Sequence, residues 1–103
     1  MKCLTLFVHA AVAEACIDAL RADPDLPGFT LTRCEGHSQR TESEAFVGAR
    51  DRVVGYVPRA RIELVLADQG EVERVLTRLR DVARAGQSWG TWMASDVNDF
   101  GRF

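Results

Sequence analysis

Cys34-Glu35-Gly36-His37 gathers a thiol, a carboxylate and an imidazole in one short run. Thiolate and imidazole are ligands for zinc and copper, so Cys34 and His37 are the candidate pair for a metal centre. A closed site needs about four donors held in geometry, and His9 is the only other imidazole in the chain. The three cysteines, Cys3, Cys16 and Cys34, show no CxxC spacing, which argues against a zinc site and a disulfide framework alike. The metal reading therefore competes with a plainer one, in which His37 is a polar residue at the base of a loop. Catalysis has a weaker claim. Glu42 and Glu44 are close in sequence, but nothing in their segment holds two carboxylates at the separation acid–base chemistry requires. No Ser-His-Asp set, nucleophile elbow or HExxH motif is present. The expectation is a protein that is not an enzyme.

The elements that must position these residues can be read from periodicity. Lys2 to Val8 alternates Leu4, Leu6 and Val8 with Cys3, Thr5 and Phe7, the period of a strand. Ala11 to Ala22 places Val12, Cys16, Ile17 and Leu20 near one side of a helix, and DPDLPG then stops it through Pro24, Pro27 and Gly28. Phe29 to Glu35 alternates again and is rich in β-branched and aromatic residues, so it is a second strand. Ala60 to Ala67 is a third, with Ile62, Leu64 and Leu66 on one face. Asp68 and Glu71 form a capping-box-like start for a second helix carrying Val72, Val75, Leu76, Leu79 and Val82, which Gly86 is placed to end. Trp89 to Ser95 supplies the last strand. The order predicts an α+β, ferredoxin-like βαββαβ domain over residues 1–103, with a four-stranded antiparallel sheet and two helices on one face. Cys3, Thr5 and Phe7 with Arg61, Glu63 and Val65 would line the other face. It is too apolar in places for plain solvation, and a self-complementary oligomer would cover it.

Composition narrows the class further. Hydrophobic residues at 47% against 27% charged describe a globular domain. A formal charge of -2 gives no electrostatic reason to expect nucleic acid as partner. Met1 runs directly into KCLTLFVHA, too short to span a bilayer and lacking a small-residue cleavage site, so a cytoplasmic location is expected.

Between the second and third strands lies EGHSQRTESEAFVGARDRVVGYVPR, Glu35 to Arg59. Its middle cannot bury enough apolar surface to fold alone, so order on binding is the expectation. Long loops of this kind in compact domains are usually functional. With this excursion, Val57-Pro58-Arg59, Ile62-Glu63-Leu64-Val65, Val72-Glu73 and Ala83-Arg84-Ala85-Gly86 resemble the PII signalling superfamily. That family writes a hydrophobic-Pro-basic lead into its third strand, a helix of the type VExVVxxIxxxARTG, and a Gly-rich turn into the fourth strand. The MKCLTLFVH start and the CEGH to ARDRVVGYVPR run are similar to a small PII-like branch whose genes accompany heavy-metal efflux systems of the RND type.

The resemblance implies a homotrimer whose sheets face the threefold axis, a small-molecule effector bound between subunits, and a T-loop over about residues 36–58 that docks onto a partner. A membrane transporter or efflux-system protein is the partner class implied. Arg40, Glu42, Glu44, Phe46, Arg50 and Arg52 are then the partner-binding residues. Gly36, Gln39 and Arg40 at the loop base, Gly86 and Gly90 before the last strand, and Arg102 in the tail become the effector-binding set. Where the family pattern runs G-D-G-K, this chain has Trp89-Gly90-Thr91. The phosphate-binding lysine is absent, which weakens the case for an adenine nucleotide. Tyr56, the only tyrosine, lies at the far end of the loop. The alternative is a metal-binding trimer of the CutA sort, serving heavy-metal tolerance through Cys34 and His37. A dimeric ferredoxin-like domain with unrelated chemistry is a third reading.

Overall fold

The computed structural model describes residues 1–37, 56–82 and 89–103. Its elements run β1 (Lys2–His9), α1 (Ala10–Arg21), β2 (Thr30–Gly36), β3 (Val57–Leu66), α2 (Gln69–Arg80) and β4 (Gly90–Asp96). The strands form one four-stranded antiparallel sheet in the order β2-β3-β1-β4. This is the expected ferredoxin-like α+β arrangement.

Alternation along the two central strands creates the core. Leu4 pairs with Leu64, Leu6 with Ile62 and Val8 with Ala60. All six side chains are buried, on the face that the helices cover. From α1 come Val12, Ala13, Cys16, Ile17 and Leu20, and from α2 Val72, Val75, Leu76 and Leu79. Both stripes follow the helical period, so each helix has one apolar side to bury and lays it on the same sheet face. Burial raises the Cys16 thiol to about 11, and it serves as a small apolar core residue.

Several boundaries differ from the sequence expectation, each for a local reason. α1 begins one turn-forming residue earlier because His9, buried at the strand end, caps it: Nδ1 accepts from the Ala11 N–H at 2.9 Å. Only half of the capping box forms on α2. Asp68 accepts from the Glu71 N–H at 2.9 Å, but the Glu71 carboxylate turns to Arg74, at 2.9 Å from Nη2. α2 ends at Arg80 rather than at Gly86, because Asp81 and Val82 donate to the carbonyls of Arg78 and Leu79 and tighten the last turn. Gly86 itself lies outside the described residues. β3 starts at Val57 and takes in Pro58, which stands opposite Glu35.

The two helices are tied by charge as well as by apolar contact. Arg74 of α2 reaches across to the Asp23 carboxylate in the turn after α1, whose side chain is only 2% exposed. Asp23 also accepts from the Asp25 N–H at 3.0 Å, and Arg78 Nε donates to the Ala19 carbonyl at 3.3 Å. The Arg74 hydrogen bond and the Asp25 N–H hold Asp23 below its ordinary carboxylate range. Gly28, at φ +129, then turns the chain into β2 in a conformation open mainly to glycine.

Two outcomes follow from this geometry. A folded-state pKa depressed below the unfolded value contributes stability that is complete above about pH 4 and is lost as pH falls through the folded value. Asp23→Asn should therefore be less stable than the parent at neutral pH, and the two urea-denaturation curves should converge on acidification; parallel curves at all pH values would assign Asp23 no such role. At Gly90, a Cβ would collide with the Phe7 carbonyl oxygen and lie 3.1 Å from Val8 Cα, both backbone. Gly90→Ala must part β4 from β1 at that end, and urea denaturation is expected to register a loss of about 1–3 kcal/mol.

Candidate functional site

The end of β2 and the start of β3 meet beside the end of β1, because Cys34 is registered with Arg59 and Arg59 with His9. Side chains of the uncovered sheet face converge there. Phe7, Cys34, Glu35, Gly36, His37, Arg59 and Thr91 line an open hollow of about 310 Å³ at the base of the long loop, so it holds a carboxylate as well as a guanidinium. Arg59 lies across Gly36: a Cβ on Gly36 would fall 2.6 Å from Arg59 Cδ and closer still to Nε. Gly36 is thus needed for close approach of a side chain, and that side chain brings a guanidinium into the hollow.

This alters the balance inferred from the missing lysine. Thr91 is registered with Phe7 and lines the hollow without charge. Arg59 supplies a cation beside it. The sequence signal for this was the hydrophobic-Pro-basic lead Val57-Pro58-Arg59, whose basic residue reading by residue type alone did not single out as a site residue. A guanidinium offers a planar, permanently charged donor array suited to carboxylate or phosphate oxygens.

Cys34 and His37 share the hollow but are engaged separately. The Cys34 thiol donates to the Arg59 carbonyl at 3.7 Å. His37 Nε2 lies 3.0 Å from Glu35 Oε1, and its ring sits 5.8 Å from that of Tyr56 at a 38° tilt. His37 and Tyr56 thereby bring the two ends of the loop together. Among the described residues, no group of three or more His, Cys, Asp or Glu is arranged to hold a metal ion.

The remaining candidates divide. Gly90 stands at the same end of the sheet as Gly36, where its lack of a side chain is already required by the β1–β4 approach. Arg102 stands at the opposite end, with Gly28, Thr30, Glu63, Val65 and Phe100 around a second hollow of about 490 Å³. One chain does not bring Arg102 to Gly36. Gln39, Arg40, Glu42, Glu44, Phe46, Arg50 and Arg52, with Gly86, lie outside the described residues.

Between the hollows the uncovered face is mixed rather than polar. Arg61 stacks over Phe7 at 5.8 Å from the ring centre, and its Nη2 meets Glu63 at 3.3 Å. Met93, beside Thr5 in the ladder, is 55% exposed. Among the described residues, no helix is long and apolar enough to cross a membrane.

Because Arg59 is long and flexible, Gly36→Ala should displace its guanidinium without disturbing the ladder. The expectation is a stability within about 1 kcal/mol of the parent, with a shifted Arg59 Nε resonance in a proton–nitrogen correlation spectrum. An unmoved resonance would contradict the Gly36–Arg59 contact.

Comparison with known proteins agrees with this architecture. A family model described as "Protein of unknown function (DUF3240)" matches residues 1–103. "Nitrogen regulatory protein P-II" of Rhizobium meliloti (strain 1021) is 35% identical over 63 residues, 60% of this chain and 54% of that protein. "Nitrogen regulatory protein P-II" of Rhizobium leguminosarum bv. viciae is 30% identical over 83 residues, 78% of this chain and 73% of that protein. The chain thus spans about half the length of the first of these relatives and nearly three quarters of the second. The crystal structure of a DUF3240 family protein from Shewanella baltica OS155 superposes with a TM-score of 0.74 at 18% identity, over 99% of this chain and 94% of that one, a likeness of fold. The chain belongs to the DUF3240 family, within the PII-like superfamily.

Proposed function

We propose that the protein is a PII-like regulator. Copies of the chain assemble as a homotrimer through the uncovered sheet face, and a small anionic effector of the adenine-nucleotide class binds at the cleft between them. The long loop after β2 then engages a partner protein, with a membrane transporter of the heavy-metal efflux type as the partner class. In this reading the protein binds and signals rather than catalyses, and it works on the cytoplasmic side.

The observation that carries the proposal is the pair of hollows at opposite ends of one half-apolar sheet face. One holds Arg59 and Gly36, the other Arg102, Gly28 and Glu63. A cyclic assembly sets unlike patches of neighbouring copies against each other. Arg59 of one copy and Arg102 of the next would then meet an anion from two sides, while Glu63 accepts from a ligand hydroxyl or amine. An effector at that cleft touches Gly36 and His37, where the loop departs, so occupancy couples directly to the loop's conformation.

Light scattering combined with a thermal-shift screen tests this reading. The expected mass is three times that of one chain. ATP, ADP and AMP should raise the melting temperature, by an amount equivalent to about 2.7 kcal/mol at a hundredfold excess over Kd, and Arg59→Ala or Arg102→Ala should remove most of the rise. A monomer at micromolar concentration would overturn the assembly. A response to divalent metals alone, lost in Cys34→Ser or His37→Ala, would overturn the effector class.

A further inference from the structure

β4 is an edge strand: β1 pairs along one side of it, and no strand among the described residues pairs along the other. Such an edge offers a row of backbone N–H and C=O groups to any extended segment that comes alongside. Proteins blunt these edges with charge, proline or bulges. GTWMASD carries no charge before Asp96, contains no proline, and keeps an unbroken register with β1.

The side chains beside this edge form a receptor for one face of an added strand. α1 and α2 lie over β1 and β3, which leaves the helix side of β4 as a shelf. Between that shelf and α2 runs an apolar crevice lined by Leu6, Val8, Leu76, Leu79, Trp89 and Trp92. Trp92 remains 49% exposed. Arg80 stands at the rim, and no carboxylate among the described residues pairs with it. β2, the other edge, differs: its helix side carries Arg33, at 3.5 Å from Glu14 of α1.

We propose that the β4 edge and this crevice form a docking site for an extended segment of another protein. The segment adds to the sheet as a further strand, places alternate large apolar side chains against Trp92, and sets a carboxylate against Arg80. The alternation follows from the period of two along a strand, which sends every second side chain into the crevice. The acid follows from a rim guanidinium that no carboxylate among the described residues pairs. This surface lies on the helix side of the sheet and adjoins the loop-base hollow at Thr91, which lines both.

The test uses the full chain and a panel of short synthetic peptides. They alternate Thr with Leu, Val or Phe, carry Glu at one end or the other, and bear a fluorescein label. Saturable binding by polarisation, with a change in tryptophan emission, is the expected result. Arg80→Glu should weaken it about tenfold, Trp92→Ala should weaken it as well, and N-methylation of alternate peptide amides should abolish it. Equal binding of scrambled peptides, survival of binding after N-methylation, or full affinity in Arg80→Glu would each overturn the proposal. So would failure of the whole panel to bind, or a change of oligomeric state in Trp92→Ala that shows the crevice filled by another copy. Should Trp92→Ala fail to fold, Arg80→Glu, at an exposed helix position, still decides.

Discussion

The pairing register of β1 with β3 is the constraint on which everything else rests. It sets Leu4, Leu6 and Val8 against Leu64, Ile62 and Ala60 on a single face. Because side chains alternate with period two, a slip of one residue would turn that set away from the helices and put Cys3, Thr5 and Phe7 beneath them. α1 and α2 have apolar stripes that fit only the first arrangement. The same register brings Arg59 opposite both His9 and Cys34, so the loop-base hollow is a by-product of how the core aligns its strands.

Charge fixes what apolar contact leaves adjustable. Helices on a flat sheet face can slide, and the Asp23–Arg74 pair, with Arg78 on the Ala19 carbonyl, couples their positions. Asp23 is the one acidic side chain among these that is nearly sealed from water. Its charge is compensated by a guanidinium and a backbone N–H, which is the condition for a buried carboxylate to be tolerated. Lys2–Asp96 and Arg33–Glu14 are solvent-facing pairs that contribute little to stability.

The candidate site sits where the fold has little side-chain bulk. Gly36 makes room for Arg59, and Gly90 lets β4 close on the Phe7 carbonyl. Glycines that a motif reading assigns to ligand approach are already required for protein–protein approach within the chain. Thr91 of β4 brings no charge to the loop-base hollow, and Arg59 of β3, with β1 between the two strands, brings a guanidinium to it. The sheet thus carries a mixed, uncovered face on one side and an apolar crevice at the β4 edge on the other, with Thr91 lining both the loop-base hollow and the crevice.

Element type and order were legible in the sequence because the periodicities are strong: strict alternation through KCLTLFV and RIELVL, and helical spacing through Val72, Val75, Leu76 and Leu79. The half-apolar second face was legible for the same reason, since Cys3, Thr5 and Phe7 are the complement of the core set. The ends of elements were not. His9 as a cap, the release of Glu71 to Arg74, and the end of α2 at Arg80 depend on competition among nearby donors and acceptors that local pattern does not rank. Nor were Asp23–Arg74 and Gly36–Arg59, which join residues far apart in sequence. Metal-ligand types at Cys34 and His37 were visible, but their engagement with the Arg59 carbonyl and Glu35 was not. The sequence alone determined which residues turn toward the core, because periodicity is a local property of the chain. Only the tertiary structure decided which charges meet and which strands lie at the edges of the sheet, because those depend on strand order and register, which arise when distant segments pack together.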